Sequence, residues 1–233
     1  MHPFRFLLML SLFSSLGGCA PSTQPQTVGD TVTADEIRFI PIGDSYTIGQ
    51  GVRTEDAWPS LLAESLRAEG IPLRLIENPA RTGWTTQDAI DGELPLFEAS
   101  QPAFSTLLVG VNDWVQGVDA GTFRTRLAFL MDQMLAVLPP GRLIILTIPD
   151  YSVTPAGARF GDPVMNAAGV RAFNAIIEDE AVKRSLPLVD LYPVSLGMGE
   201  DRSLVADDGL HPSGLEYRAW EELIRPVALE LLR

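Results

Sequence analysis

The alternation of short apolar runs with longer segments of helical period constrains this chain more than any other feature. Each short run is rich in Ile, Leu, Val or Phe and is followed by glycine, proline or polar residues, a pattern typical of buried strands. The predicted strands are Ile37–Ile42, Leu73–Glu77, Phe104–Val109, Leu143–Ile148 and Leu188–Leu191.

Segments of helical period separate these strands and follow the last one. They are Trp58–Glu69, Thr86–Leu94, Thr122–Leu138, Ala167–Lys183 and Ser213–Leu232. Gly70 is suited to end the first of them, and Ser213 and Glu216 have the spacing of a capping box. Strands that alternate with helices favour right-handed crossovers and a parallel sheet covered on both faces. We therefore expect a three-layer α/β/α sandwich of one domain over residues 35–233, with five parallel strands in flavodoxin-like order.

Four polar clusters lie just beyond the predicted strands. Gly43-Asp44-Ser45 follows the first strand, Arg81-Thr82-Gly83 the second and Gly110-Val111-Asn112-Asp113 the third, whereas Asp207-Asp208-Gly209-Leu210-His211 follows the fifth. Open parallel sheets bind ligands beyond the carboxyl ends of their strands. All four clusters should therefore meet at one rim of the sheet.

The first residues have the features of an export signal. Arg5 precedes an apolar run, Phe6–Leu16, that is too short to span a bilayer, and Leu16-Gly17-Gly18-Cys19 follows it. This ending resembles the lipobox of bacterial lipoproteins, which implies cleavage before Cys19 and a lipid on its sulfur. An ordinary signal peptide that happens to contain a cysteine is the alternative. Cys19 is the only cysteine in the chain, so it has no disulfide partner within the molecule.

The predicted organisation is thus a signal peptide over residues 1–18, a lipidated Cys19 with a flexible tether over residues 19–34, and the folded domain. Pro, Ser, Thr and Gln dominate the tether. The expected location is the bacterial cell envelope, on its periplasmic side or its surface, and the only expected membrane attachment is the lipid on Cys19.

Charge and composition argue against two classes of partner. The chain has 17 basic residues against 30 acidic ones and a net charge of −13, so it lacks the basic surface that nucleic acid requires. After export one histidine and one cysteine would be left, which gives little support for a transition-metal site. We expect no cofactor and no metal, although carboxylates alone leave a calcium or magnesium site open.

Three residues have the chemistry of acyl transfer. His211 is the only histidine left after export, so a serine–histidine mechanism must use it as the base. Asp208 lies three residues earlier, where a turn can bring its carboxylate to the imidazole, and Asp207 is a rival at a different spacing. Ser45 follows a strand and a glycine at the predicted rim. The G-x-S-x-G pattern of α/β-hydrolases is absent, so a different serine-hydrolase design is required.

The ordered blocks Gly43-Asp44-Ser45, Gly83, Gly110-x-Asn112-Asp113 and Asp208-x-x-His211-Pro212 resemble those of the GDSL/SGNH hydrolases. The resemblance implies the SGNH hydrolase fold, Ser45 as nucleophile, and Asp208 and His211 as the rest of a triad. It also implies an oxyanion hole formed by the Ser45 N–H, the Gly83 N–H and the Asn112 amide. One departure weakens the Gly83 assignment, because Thr82 stands where many members have serine.

Several neighbouring residues have two interpretations. Asp44 and Asp113 are expected to brace turns, whereas Tyr46, Trp84 and Trp114 either line an apolar pocket or pack in the core. The irregular segment Pro149–Pro163, which contains Tyr151, Thr154 and Phe160, is expected to shape substrate access.

The resemblance implies a serine esterase or acyl hydrolase that acts on a small ester. Lysophospholipids, thioesters, aryl esters and short-chain esters are all substrates within the family, and a carbohydrate O-deacetylase is an alternative. A non-catalytic envelope lipoprotein on the same scaffold is an alternative of another class. The sequence does not distinguish among the substrates or predict the oligomeric state.

Overall fold

The computed structural model describes residues 36–233, so the predicted signal peptide, Cys19 and the tether lie outside the described residues. Five strands form one sheet in the order β2-β1-β3-β4-β5, and every pair is parallel. The strands are β1 (Ile37–Gly43), β2 (Leu73–Leu75), β3 (Phe104–Leu108), β4 (Leu143–Leu146) and β5 (Leu188–Val189). The predicted flavodoxin-like parallel sheet is confirmed.

The helices of the described residues fall into long elements that cover the sheet and short ones at its rim. They are α1 (Ser45–Ile48), α2 (Trp58–Ala68), α3 (Thr86–Asp88), α4 (Leu94–Ser100), α5 (Val111–Val115), α6 (Ala120–Val137), α7 (Pro163–Lys183), α8 (Tyr192–Ser195) and α9 (Gly214–Leu232). A π-helical turn, Ala89–Glu93, joins α3 to α4.

The long helices form two packing groups, as the two faces of the sheet require. In one group α2 packs against α9, and in the other α6 packs against α4 and α7. Trp58 of α2 and Trp220 of α9 are fully buried, as are the five residues of β3. The predicted three-layer α/β/α sandwich is therefore confirmed.

Most helix boundaries differ from those predicted by a few residues. The predicted helix Thr86–Leu94 continues to Ser100 through the π-helical turn. Helix α7 begins at Pro163, earlier than the predicted Ala167, because the Asp162 side chain accepts from the Met165 N–H and caps it. The short helices α1, α5 and α8 were not predicted, since four or five residues show too little of a helical period.

The predicted capping box at α9 is only half formed. Ser213 caps the helix by accepting from the N–H groups of Leu215 and Glu216. Glu216 does not return a bond to Ser213, because its carboxyl accepts from the Trp220 indole at 2.8 Å. The Ser213 N–H donates instead to Leu204 O at 2.8 Å, which fixes the loop before the helix.

β4 is shorter than predicted because a side chain replaces a neighbouring strand at its carboxyl end. β4 was predicted to reach Ile148 but ends at Leu146. The Ile148 N–H donates to the Asn174 side chain and its carbonyl accepts from the same amide, both at 2.8 Å. These bonds satisfy buried backbone groups that no strand reaches. We call this edge of the sheet, where the carboxyl ends of the strands lie, the rim.

Candidate active site

The predicted site residues meet in one cavity at the rim. The segments after all five strands contribute to it. Its lining comprises Ser45 and Tyr46 after β1, Thr82 and Gly83 after β2, Val111, Asn112 and Val115 after β3, Tyr151 and Phe160 after β4, and Leu210 and His211 after β5. Asp208 lies behind His211 and does not line the cavity.

Ser45 is placed by a turn that leaves no room for a side chain at Gly43. A Cβ at Gly43 would lie 2.2 Å from Thr47 Oγ1 and 2.4 Å from Leu108 O, so only glycine fits. Asp44 then caps α1, with Oδ1 accepting from the Tyr46 N–H at 3.0 Å. Ser45 is consequently the first residue of a helix at the cavity, and 5% of its surface is exposed.

One carboxylate holds His211 through two hydrogen bonds and accepts a third from the neighbouring Leu210. Asp208 Oδ2 lies 2.6 Å from the imidazole Nδ1, and Oδ1 accepts from the N–H groups of Leu210 at 2.8 Å and His211 at 3.0 Å. Because an ionised carboxylate only accepts, Nδ1 carries the proton and Nε2 is free to act as an acceptor. Asp208, rather than its rival Asp207, is the carboxylate that contacts the imidazole.

The same contacts control the ionisation of Asp208. Partial burial raises the pKa of this carboxyl, but the hydrogen bonds from the His211 ring, the His211 N–H and the Leu210 N–H together outweigh burial and lower it. Asp208 is therefore ionised at neutral pH. This is the state in which it can hold the imidazole tautomer and stabilise an imidazolium.

Asn112 and Gly83 face the cavity from neighbouring loops. Asn112 lies in the first turn of α5, and its Nδ2 donates to Trp84 O at 2.9 Å and to Asp44 Oδ2 at 3.3 Å. Gly83 has a φ of +83°, a left-handed conformation that favours glycine at this turn. Both residues are brought together with Ser45, as the predicted oxyanion hole requires.

Three carboxyl groups are buried at the rim near Ser45. Desolvation, opposed by the hydrogen bond from the Tyr46 N–H and assisted by the nearby Asp113, raises the pKa of Asp44 to about 7. Burial also raises the pKa of Asp113, and that of Glu93 well above its usual range. Below about pH 7 Asp44 is largely protonated, so it adds little negative charge beside an anion that develops near Ser45.

Asp44 and Asp113 brace turns, as the sequence predicted. Asp44 caps α1, and Asp113 accepts from both the N–H and the hydroxyl of Thr86, at 2.8 Å and 2.6 Å. The second contact ties α5 to the start of α3. Glu93, by contrast, was missed, because the only signal in the sequence was an acidic residue inside a helical segment.

Apolar side chains form one wall of the cavity. Val111, Val115, Tyr151, Phe160 and Leu210 contribute to it, and the Tyr151 and Phe160 rings meet edge to face with centroids 5.7 Å apart. The segment after β4 was expected to shape access, and two of its aromatic residues do line the cavity. Thr154 does not, since it is buried and donates to Tyr151 O.

The segment after β4 is also bonded to the loop that carries His211. The Ala156 N–H donates to Gly209 O at 2.8 Å, and Gly209 lies between Asp208 and Leu210. The segment that contributes Tyr151 and Phe160 to the apolar wall is thus linked by this backbone hydrogen bond to the loop of the Asp208–His211 pair.

Of the three aromatic residues with two interpretations, only Tyr46 lines the cavity. Its ring also contacts His211, with centroids 5.9 Å apart. Trp114 packs edge to face on Phe173 and donates to Asn166, and Trp84 lies against Gly92. Trp84 and Trp114 are therefore packing residues that do not line the cavity.

The polar groups of the cavity are those that acyl transfer requires. Over residues 36–233 no group of three or more His, Cys, Asp or Glu side chains is placed to hold a metal ion. The cavity chemistry comes from a hydroxyl, an imidazole–carboxylate pair and N–H donors, which suits acyl transfer.

Known proteins resemble this chain over most of the folded domain. The model of the GDSL-like lipase/acylhydrolase family matches residues 42–219. Esterase TesA of Pseudomonas aeruginosa is 24% identical over 175 residues, which cover 74% of this chain and 78% of that protein.

Two solved structures illustrate the shared fold. A lipase/acylhydrolase from Enterococcus faecalis has a TM-score of 0.69 at 21% identity, with 84% of this chain and 97% of that one covered. A catalytic mutant of an acetylxylan esterase from Geobacillus stearothermophilus has a TM-score of 0.65 at 16% identity, with 84% and 96% covered.

The raised pKa of Asp44 predicts a pH-dependent effect of Asp44→Asn. Between about pH 4 and pH 7 the Asp44 carboxyl keeps a proton in the folded protein that it releases in the unfolded chain. The contribution of Asp44 to the free energy of unfolding is therefore full below its ordinary pKa of 3.8 and is lost as the pH rises through about 7. The asparagine variant has no such loss. Its free energy of unfolding relative to wild type should therefore increase by about 2 kcal/mol between pH 5 and pH 8, measured by urea unfolding.

Glu180→Gln is the matched control. Burial raises the pKa of Glu180, but hydrogen bonds from Lys183, Arg184 and Arg124 outweigh burial and lower it to about 2. This carboxyl is ionised at both pH values, so the effect of its replacement should be nearly constant. An Asp44→Asn effect that is equally constant would contradict the raised pKa of Asp44.

Proposed function

Because the chain belongs to the GDSL-like lipase/acylhydrolase family, whose members include esterases, we propose that it hydrolyses carboxylic esters through a covalent acyl-Ser45 intermediate. One observation carries the proposal: Ser45 and the Asp208-bound His211 line the same cavity, and Nε2 is the imidazole nitrogen left for the serine.

The chemical steps assign one role to each group. Ser45 Oγ attacks the ester carbonyl carbon while its proton passes to His211 Nε2, and Asp208 stabilises the imidazolium. Nε2 then returns the proton to the leaving alcohol as the carbon–oxygen bond breaks. A water molecule, activated by the same nitrogen, attacks the acyl-Ser45 ester and releases the acid.

Three donors are available for the oxyanion. They are the Ser45 N–H, the Gly83 N–H and the Asn112 side-chain amide. The longer of the two Asn112 bonds, 3.3 Å to Asp44, is the one that an oxyanion would replace, because the 2.9 Å bond to Trp84 O is needed to orient the amide.

The triad assignment predicts equal and non-additive losses. Ser45→Ala and His211→Ala should each lower kcat by at least about 10⁴-fold on a neutral ester, and the double variant should be little worse, because the residues act as a unit. A fluorophosphonate probe should label the wild type at Ser45 and leave Ser45→Ala unlabelled. Additive losses in the double variant would argue against the assignment.

The neighbouring aspartates provide a matched pair for the third member. Asp208→Asn should lower kcat sharply, since an amide can hold the imidazole in the wrong tautomer. Asp207→Asn changes the adjacent residue, which is exposed, and should have little effect. The reverse result would move the carboxylate role to Asp207.

The size of the cavity favours short acyl groups. Its volume is about 190 Å³, below the roughly 300–1,000 Å³ typical of pockets that enclose a drug-sized ligand. The apolar wall suits an alkyl or aryl group, and Phe160 lines the cavity while 43% of its surface stays exposed to solvent. We therefore propose small, short-chain carboxylic esters as the substrate class.

An acyl-chain series tests this substrate class. For p-nitrophenyl esters, kcat/KM should be highest for acyl groups of about two to six carbons and should decline for longer ones, because the additional methylenes find no apolar surface. Phe160→Ala should shift the preference towards longer chains by opening the cavity. Phe129→Ala is the matched control, since Phe129 is comparably exposed, at 46%, but lies on α6 away from the lining.

A wild-type preference for acyl groups of ten or more carbons would refute the short-chain proposal without affecting the triad. Acetylated carbohydrates belong in the same assay, because a small cavity with an open mouth can admit an acetyl group while the sugar stays outside. The acetylxylan esterase of similar fold makes this the second candidate function.

We further propose that the enzyme is a lipid-anchored protein of the bacterial cell envelope. Leu16-Gly17-Gly18-Cys19 and the tether behind it support this location. Within residues 36–233, none of the helices is both long enough and apolar enough to cross a bilayer.

The anchoring proposal predicts a change of cell fraction. Full-length protein expressed in a bacterium should partition with membranes, and Cys19→Ser should release it, because the sulfur that would carry the lipid is lost. Esterase activity per molecule should be the same in both. Membrane partition of Cys19→Ser equal to wild type would contradict the proposal.

A further inference from the structure

The carboxyl end of β1 has a backbone donor that no strand can satisfy. Phe39 O accepts from the Ile76 N–H at 3.0 Å, on the side of β2. Residues two apart in a strand face the same neighbour, so Pro41 and Gly43 face this side as well. β2 ends at Leu75, before it reaches them. Pro41 has no N–H, but the Gly43 N–H needs an acceptor.

Glu93 supplies this acceptor from a different layer of the fold. Its Oε2 accepts from the Gly43 N–H at 3.0 Å, and the side chain is completely buried. Its other oxygen, Oε1, has no hydrogen-bond partner among the described residues. A buried carboxyl with a single partner is costly, which indicates that the bond to Gly43 has a role beyond packing.

Glu93 is the last residue of the π-helical turn Ala89–Glu93. Such turns insert an extra residue into a helix and often occur at functional sites. The insertion interrupts the regular helical spacing between α3 and α4, and Glu93 lies at the point where that spacing resumes.

The same turn also supports the other side of the site. A Cβ at Gly92 would lie 2.4 Å from the Trp84 ring, so the ring packs directly on this glycine. Trp84 O in turn accepts from Asn112 Nδ2 at 2.9 Å. Two adjacent residues of one turn therefore contact the strand end that leads to Ser45 and the tryptophan that orients Asn112.

We propose that Glu93 is a positioning residue for acyl transfer: as the buried acceptor for the Gly43 N–H, it sets where β1 ends and hence where Ser45 lies relative to Asn112 and His211. The proposal rests on Ser45 being the nucleophile, as proposed above. Glu93 acts through Gly43 and touches no reacting atom.

The function of this contact needs an acceptor rather than a charge. Burial raises the pKa of Glu93 well above its usual range, and the nearby Asp44 adds to this effect against the hydrogen bond from Gly43, so the uncharged form is favoured. A glutamine amide has the same shape and keeps a carbonyl oxygen for Gly43. Aspartate keeps the carboxyl but shortens its reach, and leucine removes the acceptor.

Three variants of Glu93 separate positioning from a merely structural role. Each is compared by circular dichroism, by kcat and KM on a short-chain p-nitrophenyl ester, and by the rate of labelling with a fluorophosphonate, well below its unfolding temperature. Glu93→Gln should stay within about threefold of wild type. Glu93→Asp and Glu93→Leu should lose about 10- to 100-fold in kcat and labelling rate with KM nearly unchanged, since small misplacements of reacting groups have effects of this size.

Glu180→Leu is the control for stability alone. Glu180 is also a buried carboxyl, but its partners are Arg124, Lys183 and Arg184, away from the cavity. It should lower the unfolding temperature and leave kcat unchanged. If Glu93→Leu does not fold, Glu93→Asp still decides the question.

Two results would overturn the proposal. One is a wild-type kcat and labelling rate in folded Glu93→Asp or Glu93→Leu, and the other is a Glu93→Gln variant as impaired as Glu93→Leu. Failure of the proposed function would be recognised separately, because Ser45→Ala would then keep its activity and the wild type would not be labelled at Ser45.

Discussion

The close approach of β1 and β3 at the rim is the constraint on which the site depends. At Gly43 the Leu108 carbonyl and the Thr47 side chain occupy the space of any Cβ. The chain can therefore turn at once from the central strand into α1, with Asp44 as the cap and Ser45 as the first helical residue. Any larger residue at position 43 would push β1 away from β3 or α1 away from the sheet, and the spacing of the groups around the cavity would change with it.

A consequence of this geometry is that strands of unequal length end at the rim beside buried, unpaired backbone groups. Asn174 satisfies both groups of Ile148, and Glu93 satisfies the Gly43 N–H. In these hydrogen bonds a single side chain replaces the regular backbone pairing with a neighbouring strand, so the length of that side chain matters. The rim can therefore carry functional loops in place of longer strands, but each buried polar group there must keep its hydrogen-bond partner.

The sequence was sufficient to predict the fold class and the convergence of four clusters, because these follow from hydrophobic period and from the geometry of parallel sheets. Asp208 was preferred to Asp207 because its spacing from His211 resembles that of the GDSL/SGNH hydrolases, and the structure places it against the imidazole. Strand ends were less predictable. Nothing in the run Leu143–Ile148 indicates that a distant asparagine replaces the ladder after Leu146. Glu93 was missed for the same reason, since its partner is 50 residues away and its π-helical turn has no local signature. The roles of Trp84 and Trp114 likewise depended on glycines, Gly92 and Gly169, that admit their rings.

The hydrogen bond from Ala156 to Gly209 joins the apolar wall to the loop that holds the imidazole. A shift of the Tyr151–Phe160 segment that admits a larger group is transmitted through this bond to the backbone between Asp208 and Leu210. Residues that line one part of the cavity and residues that hold the imidazole therefore share a backbone connection. The two loops adjoin in the folded protein, although α7, β5 and α8 separate them along the chain.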